Sequence, residues 1–236
     1  MLRLKKALEK LSIEYTEKQI DQIEKYMKAV LKANESINLT AIKNEEEFIA
    51  KHLVDSMWAA YYKEFKDAEN IVDIGTGAGF PGIPLSVFFP DKKFLLVDSL
   101  NKKLKIIERT ASELEINNIK VLHMRAEDMG RDLGYREKFD VCVSRAVANM
   151  STLSEYCLPL VRVGGVFIAY KTLGATEEIS DAKKAVELLG GCYSDKDNYI
   201  PHNTEESGHM TVKIDKIKKT SGKYPRDKNV PRKNPL

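Results

Sequence analysis

Cysteine is scarce in this chain of 236 residues. The three present, Cys142, Cys157 and Cys192, lie far apart in apolar stretches. That excludes a disulfide-stapled fold and a cysteine metal cluster, and it predicts buried free thiols. Histidine is scarce too, and His52, His123, His202 and His209 show none of the spacings that gather a metal, so no metal is expected. Long apolar runs are missing: no stretch approaches the roughly 20 apolar residues of a membrane-spanning helix. The opening Met1-Leu2-Arg3-Leu4-Lys5-Lys6 leads into an amphipathic pattern and has no apolar signal core. A cytoplasmic protein with no membrane contact is expected. No internal repeat is visible.

What remains is an ordinary globular composition, 43% hydrophobic and 31% charged, sufficient for one large α/β domain with an extension. The most distinctive stretch is Ile71-Val72-Asp73-Ile74-Gly75-Thr76-Gly77-Ala78-Gly79-Phe80-Pro81-Gly82. A β-branched run that stops at clustered glycines reads as a buried strand followed by a tight turn, where backbone can approach a ligand. Ile83 to Phe89, with Pro84 in the first turn, reads as the helix after it. The next strand, Phe94 to Val97, ends in Asp98, about where nucleotide-binding α/β units place the acid that accepts from ribose hydroxyls. Dinucleotide folds use G-x-G-x-x-G to bring backbone N–H groups onto a pyrophosphate. Here Gly75, Gly77 and Gly79 alternate, and Asp73 precedes them. That compact form suits S-adenosylmethionine (SAM), which carries a cationic amino group and a sulfonium and no phosphate.

Residues 1–69 read as a helical extension, in which Thr16-x-x-Gln19 is a capping box and Ile20, Ile23, Tyr26, Met27, Val30 and Leu31 share one face. The polar loop Asn34 to Thr40 precedes a third helix, on which His52, Asp55 and Ser56 share a face, either as a surface cluster or as a wall over the glycine loop. Across residues 70–219 strands and helices alternate, which predicts a parallel sheet wrapped by helices. Strands are expected at Ile119 to His123, Phe139 to Val143 and Val166 to Tyr170. Two late strands, near Cys192 to Ile200 and His209 to Ile217, would close the sheet as an antiparallel pair, an ending usual for SAM-dependent methyltransferases. Ligands of such sheets lie beyond the strands' carboxyl ends. Asp73 with the glycines, Asp98, Ala126-Glu127 and Arg145 end the first four strands in turn, so all can face one crevice. Ala126 would offer its N–H to an adenine edge, and Glu127 or Asp128 would accept from the adenine amino group. Both acids could equally serve as helix caps.

Charge is unevenly spread. Between Thr211 and Leu236 nine Lys or Arg face two Asp, which leaves the remainder mildly acidic within a chain of net charge +3. Residues 220–236 therefore read as a basic tail, for a phosphate-rich partner or simply for solvent.

These residues resemble the RsmG (GidB) family. The resemblance is carried by Asn38-Leu39-Thr40-Ala41-Ile42, His52-Leu53-x-Asp55-Ser56, the block from Asp73 to Gly82, Val97-Asp98-Ser99-Leu100, Arg125-Ala126-Glu127, Ser144-Arg145-Ala146 and Lys223-Tyr224-Pro225-Arg226. It implies a Rossmann-like class I methyltransferase fold with a seven-stranded, mostly parallel sheet and an antiparallel C-terminal hairpin. It also implies SAM as cofactor and 16S rRNA or the small ribosomal subunit as partner, with methyl transfer to N7 of a guanine in the 530 loop. Gly75, Phe80, Ala126, Glu127 and Arg145 would contact SAM, and Arg125 and Arg145 would line the transfer pocket. The family pattern has an arginine near the start of the last strand, where this chain has His209. A monomer is expected. Two other readings share parts of this grammar, an NAD-dependent oxidoreductase and a non-catalytic RNA-binding factor. On the tail reading, removing the segment after Lys219 would weaken RNA binding and leave SAM binding alone.

Overall fold

A computed structural model describes residues 1–193, 199–202 and 208–236. Helix precedes the first strand in several pieces, beginning with α1 (Leu2–Lys10), α2 (Glu17–Asn34) and α3 (Glu45–Phe48). The expected capping box starts α2, where the Thr16 side chain accepts from the Gln19 N–H and the Thr16 N–H donates to Gln19 Oε1. The expected third helix is irregular. After α3 the chain widens into a π-helical turn (Ile49–Val54), tightens into a 3-10 turn (Met57–Tyr61) and resumes as α4 (Lys63–Asp67).

The sheet then forms from β1 (Asn70–Ile74), β2 (Lys93–Asp98), β3 (Ile119–His123), β4 (Phe139–Arg145) and β5 (Val161–Thr172), closed by β6 (Gly191–Tyr193), β7 (Tyr199–Pro201) and β8 (His209–Lys216). Strand order is β3-β2-β1-β4-β5-β8-β6, with β7 also paired to β8. β1 to β5 are mutually parallel, and β8 runs antiparallel to β5. Both β6 and β7 pair antiparallel with β8. Of the late strand expected near Cys192 to Ile200, β6 and β7 are described, and residues 194–198 between them lie outside the described residues. The intervening helices are α5 (Gly82–Phe88), α6 (Asn101–Glu113), α7 (Ala126–Arg131), α8 (Met150–Cys157), α9 (Thr176–Asp181) and α10 (Lys183–Leu188).

Strand side chains alternate between two cores, as period-2 geometry requires. Ile71, Phe94, Leu96, Val141, Val143, Val166 and Ile168 face a core shared with α1, α2, α5 and α6. Val72, Ile74, Val97, Cys142, Phe167, Ala169, Val212 and Ile214 face a second core with α8 and α10. The helical extension is therefore continuous with the domain. From α2, Gln19 donates to the Val87 carbonyl, Gln22 to the Leu114 carbonyl, and Tyr26 to the Ala78 carbonyl in the glycine loop.

The basic segment is docked along α7 and α8. Of its nine cations, Lys213 pairs with Glu64, Lys216 is buried against the Leu158 carbonyl, and Arg226 is held by Glu155. Arg136 donates to the carbonyls of Thr220, Ser221 and Tyr224, Arg131 to that of Pro225, and Thr152 to that of Pro231. The segment ends in α11 (Val230–Lys233). Its firmest anchor is Glu155, wholly buried on α8, which accepts from the Arg226 backbone N–H at 2.7 Å and from its guanidinium at 2.8–3.1 Å.

Arg226→Ala leaves that carboxylate buried with only a backbone partner. Urea unfolding should show a loss of about 2–4 kcal/mol. Lys218→Ala, at an exposed position, should stay within about 0.5 kcal/mol.

Candidate active site

Beyond the carboxyl ends of β1 to β4 lies a cavity of about 460 Å³. The turn after β1 forms its floor. Gly77, at φ +59°, has no atom closer than 3.9 Å to where a Cβ would sit, so the missing side chain leaves ligand space. Gly79, at φ +86°, is glycine for a different reason: a Cβ there would lie 2.5 Å from Tyr26 Oη and 2.6 Å from Ile83. It packs beneath the turn and does not line the cavity.

Asp98 stands at the end of β2 and lines the cavity. Its Oδ2 accepts the Gly77 N–H at 2.9 Å and its Oδ1 the Leu100 N–H at 2.8 Å, so it also holds the turn in place. Ala126 and Glu127 open α7 on the same cavity wall, with Arg125 at the helix cap. Asp73 sits elsewhere. Fully buried under the turn, its Oδ2 accepts from Thr76 Oγ1 and from the Gly82 N–H, while Oδ1 has no hydrogen-bond partner among the described residues. Burial pushes its carboxyl up to about 6 against the pull of those hydrogen bonds. Asp73 is thus a brace for the turn, with the Gly82 N–H closing on one of its carboxylate oxygens.

Arg145 ends β4 and is the most constrained cation of the site. Its Nη1 donates to the Lys51 carbonyl at 3.1 Å and to Asp55 Oδ2 at 3.0 Å, and its Nη2 lies 3.0 Å from His52 Nδ1. Its guanidinium carbon lies 5.4 Å from the Phe80 ring centroid. Arginine only donates, so His52 Nδ1 must accept, which puts the imidazole proton on Nε2, 2.7 Å from Thr40 Oγ1. The ring stacks on Phe80 at 4.6 Å and 10°. Burial and the Arg145 charge lower the His52 pKa to about 3. His52 is neutral, with both nitrogens engaged.

Asp55 lies behind Arg145, 1% exposed. Its Oδ1 accepts from His202 Nδ1 and lies 3.3 Å from His209 Nδ1. Burial alone would raise its pKa, but hydrogen bonds from the two histidines and the Arg145 charge hold it well below the usual carboxylate range. His52 and Asp55 therefore form a wall beside the glycine turn, while Ser56 turns inward, donating to the His52 carbonyl and presenting its own carbonyl to Tyr170. A second cavity, of about 370 Å³, shares His52, Arg145 and Ala146 with the first and adds Tyr170, Lys171 and His209. Lys171 is engaged by Glu178 and the Ala148 carbonyl.

Several wall residues had no sequence expectation behind them: Leu39, Lys103, Tyr156, Asn229 and Arg232. Asn34 explains one of these, since its Oδ1 accepts the N–H groups of Leu39 and Thr40 and folds that loop onto the cavity. The cavity fits SAM in chemistry. Asp98 and Glu127 provide acceptors for ribose hydroxyls and an adenine amine, Gly77 leaves room beside them, and no cysteine or histidine cluster competes for another cofactor among the described residues.

Comparison with known proteins agrees with this reading. The sequence model of the GidB family, described as rRNA small subunit methyltransferase G, matches residues 19–201. Ribosomal RNA small subunit methyltransferase G of Clostridium tetani is 45% identical over 99% of this chain and 97% of its own. That of Lysinibacillus sphaericus is 43% identical over 98% and 96%. Among solved structures, a SAM-dependent O-methyltransferase from Thermotoga maritima superposes with a TM-score of 0.51 at 15% identity, covering 71% of this chain and 66% of its own. The fibrillarin pre-rRNA processing protein of Methanococcus jannaschii gives 0.51 at 15% identity over 64% and 67%. At such identities the two structures establish the fold alone.

The His52 shift predicts an acid-sensitive fold. A histidine whose pKa falls on folding takes its proton more readily in the unfolded chain, so its contribution is intact above about pH 6.5 and is lost as pH falls towards 3. Between pH 8 and pH 5 the loss is about 2 kcal/mol. Urea unfolding of His52→Gln across that range should show a flatter pH dependence than the unsubstituted protein. His202, also lowered by burial, acts in the same direction in both proteins.

Proposed function

The chain belongs to the GidB family, the rRNA small subunit methyltransferases G, and from that premise we propose that it methylates N7 of a guanine in the 530 loop of 16S rRNA. It is a SAM-dependent methyltransferase of Rossmann-like fold. Bound SAM supplies an electrophilic methyl on a sulfonium. The remaining work falls to the chain's own residues, and it is work of placement. Guanine N7 has a lone pair and no proton, so in-line attack needs no general base.

The observation that carries this reading is the state of His52 and Arg145. The imidazole between the two cavities has no lone pair to spare, since Nδ1 accepts from Arg145 and Nε2 donates to Thr40. A wall built this way suits an acceptor atom that surrenders no proton. Arg145 has its Nε–H and one Nη2–H unengaged by acceptors among the described residues. These are available to guanine O6 or a phosphate. Asp55 offsets the guanidinium charge, which lowers the cost of holding it beside a sulfonium and a cationic product ring. Arg125 and Arg232 line the cavity and would meet RNA phosphates. A loop base splayed out of its stack would enter through the second cavity, bounded by Arg145 and His52. No helix among the described residues is long and apolar enough to cross a membrane.

Purified protein incubated with SAM and small-subunit RNA from cells lacking the enzyme should place one methyl on a guanine of the 530 loop. Fragment mass spectrometry reading that methyl on another atom or another loop would overturn the assignment. Asp98→Ala should weaken S-adenosylhomocysteine binding in calorimetry by about 1.5–3 kcal/mol. Unchanged affinity would remove Asp98 from the ribose site.

A further inference from the structure

The docked segment reaches the cofactor cavity as well as the surface. At Asn229 the backbone enters the left-handed region, φ +65° and ψ −5°, a conformation asparagine tolerates better than most side chains. This turn aims both polar ends of one residue at the mouth of α7. The Asn229 N–H donates to Glu127 Oε1 at 3.0 Å, and Asn229 Oδ1 accepts from Arg125 Nη1 at 3.2 Å. Asn229 and Arg232 both line the 460 Å³ cavity. The turn is held from two sides, by Arg226 on buried Glu155 and by the Pro231 carbonyl on Thr152.

We propose that Asn229 is a positioning residue of the cofactor site, and that residues 226–233 form its outer wall, so that docking of this wall and binding of the adenosyl group stabilise one another. This rests on the reading of the cavity as the SAM site. The physical case is one of lone pairs and competing charges. Glu127, 4% exposed, is a carboxylate with acceptor capacity on both oxygens. Committing Oε1 to a fixed N–H sets the plane of the group and presents Oε2 to a donor such as the exocyclic amine of adenine. Arg125, two residues earlier, would compete for the same carboxylate, and Asn229 Oδ1 engages its guanidinium instead. Two sites that share a wall are coupled reciprocally: a ligand that needs Glu127 in place must protect the wall that places it. The expectation from sequence that removing this segment spares SAM binding is therefore replaced by its opposite.

The test uses full-length protein and S-adenosylhomocysteine. Asn229→Gly keeps the left-handed turn and the N–H but removes the acceptor for Arg125, whereas Asn229→Asp keeps both the turn and the acceptor. Calorimetry should show at least a tenfold loss of affinity for the glycine variant and recovery to within about threefold for the aspartate variant, with thermal midpoints of the unliganded proteins close to that of the unsubstituted chain. Hydrogen exchange in peptides covering 226–233 should slow on ligand addition in the unsubstituted protein and much less in Asn229→Gly. Normal ligand binding by the unsubstituted protein, joined to glycine-variant affinity within twofold and wall exchange indifferent to ligand, would overturn the inference and leave the SAM reading intact. No binding by the unsubstituted protein would overturn both.

Discussion

The buried charge on Asp55 is the constraint on which the arrangement of the site depends. An isolated carboxylate so far from water costs several kcal/mol and would ordinarily neutralise. Here it stays ionised because groups from distant parts of the chain converge on it: Arg145 from the end of β4 and His202 from the residue after β7 donate to it, and His209 from the start of β8 lies 3.3 Å away. One side chain of the helical extension thereby ties the middle of the parallel sheet to its antiparallel edge. Arg145, held by that charge, in turn accounts for the tautomer of His52, and His52 accounts for the stacked face of Phe80. The chemistry-bearing surface is a relay of consequences from a single carboxylate, and the irregular helical run from Ile49 to Tyr61 is the backbone form that delivers it.

Charge balance recurs around both cavities. Arg145 is matched by Asp55 and Lys171 by Glu178, while the Arg125 guanidinium meets a neutral amide oxygen. A site that must accommodate a sulfonium, and release a methylated base bearing positive charge, works best with cations whose fields are already offset at short range. Their remaining N–H groups can still orient a partner. Long-range attraction for a polyanion is then left to cations outside the pairs, such as Lys218, Lys219, Lys223 and Lys228 on the exposed side of the docked segment.

Much of the fold was legible because period-2 and period-3.6 patterns are local. The run from Ile71 to Ile74, the glycines after it, Asp98 and the capping box at Thr16 each announce themselves within a dozen residues. The site was legible where it sits at strand ends, at Asp98, Ala126, Glu127 and Arg145. Spacing cannot reveal how Asp73 is seated: whether an acid two residues before a glycine turn faces outward or under the turn depends on which later N–H, here that of Gly82, closes on it. Docking of the basic segment was invisible to charge counting, because Lys216 and Arg226 find their partners at Leu158 and Glu155, some sixty and seventy residues away. One signal was available. Glu155 is followed by Tyr156, Cys157 and Leu158, and an acid carried into the core beside such residues needs a hydrogen-bonding or charged partner.

Asn229 and Arg232 leave the ribosome after every other residue of the cavity wall. A nascent chain can assemble the parallel sheet, the glycine turn and the Asp98 corner while translation continues, yet its pocket stays open on one side until residues 226–233 have emerged and settled on α7 and α8. The order of synthesis thus makes the wall carrying Asn229 and Arg232 the last part of this cavity to be supplied.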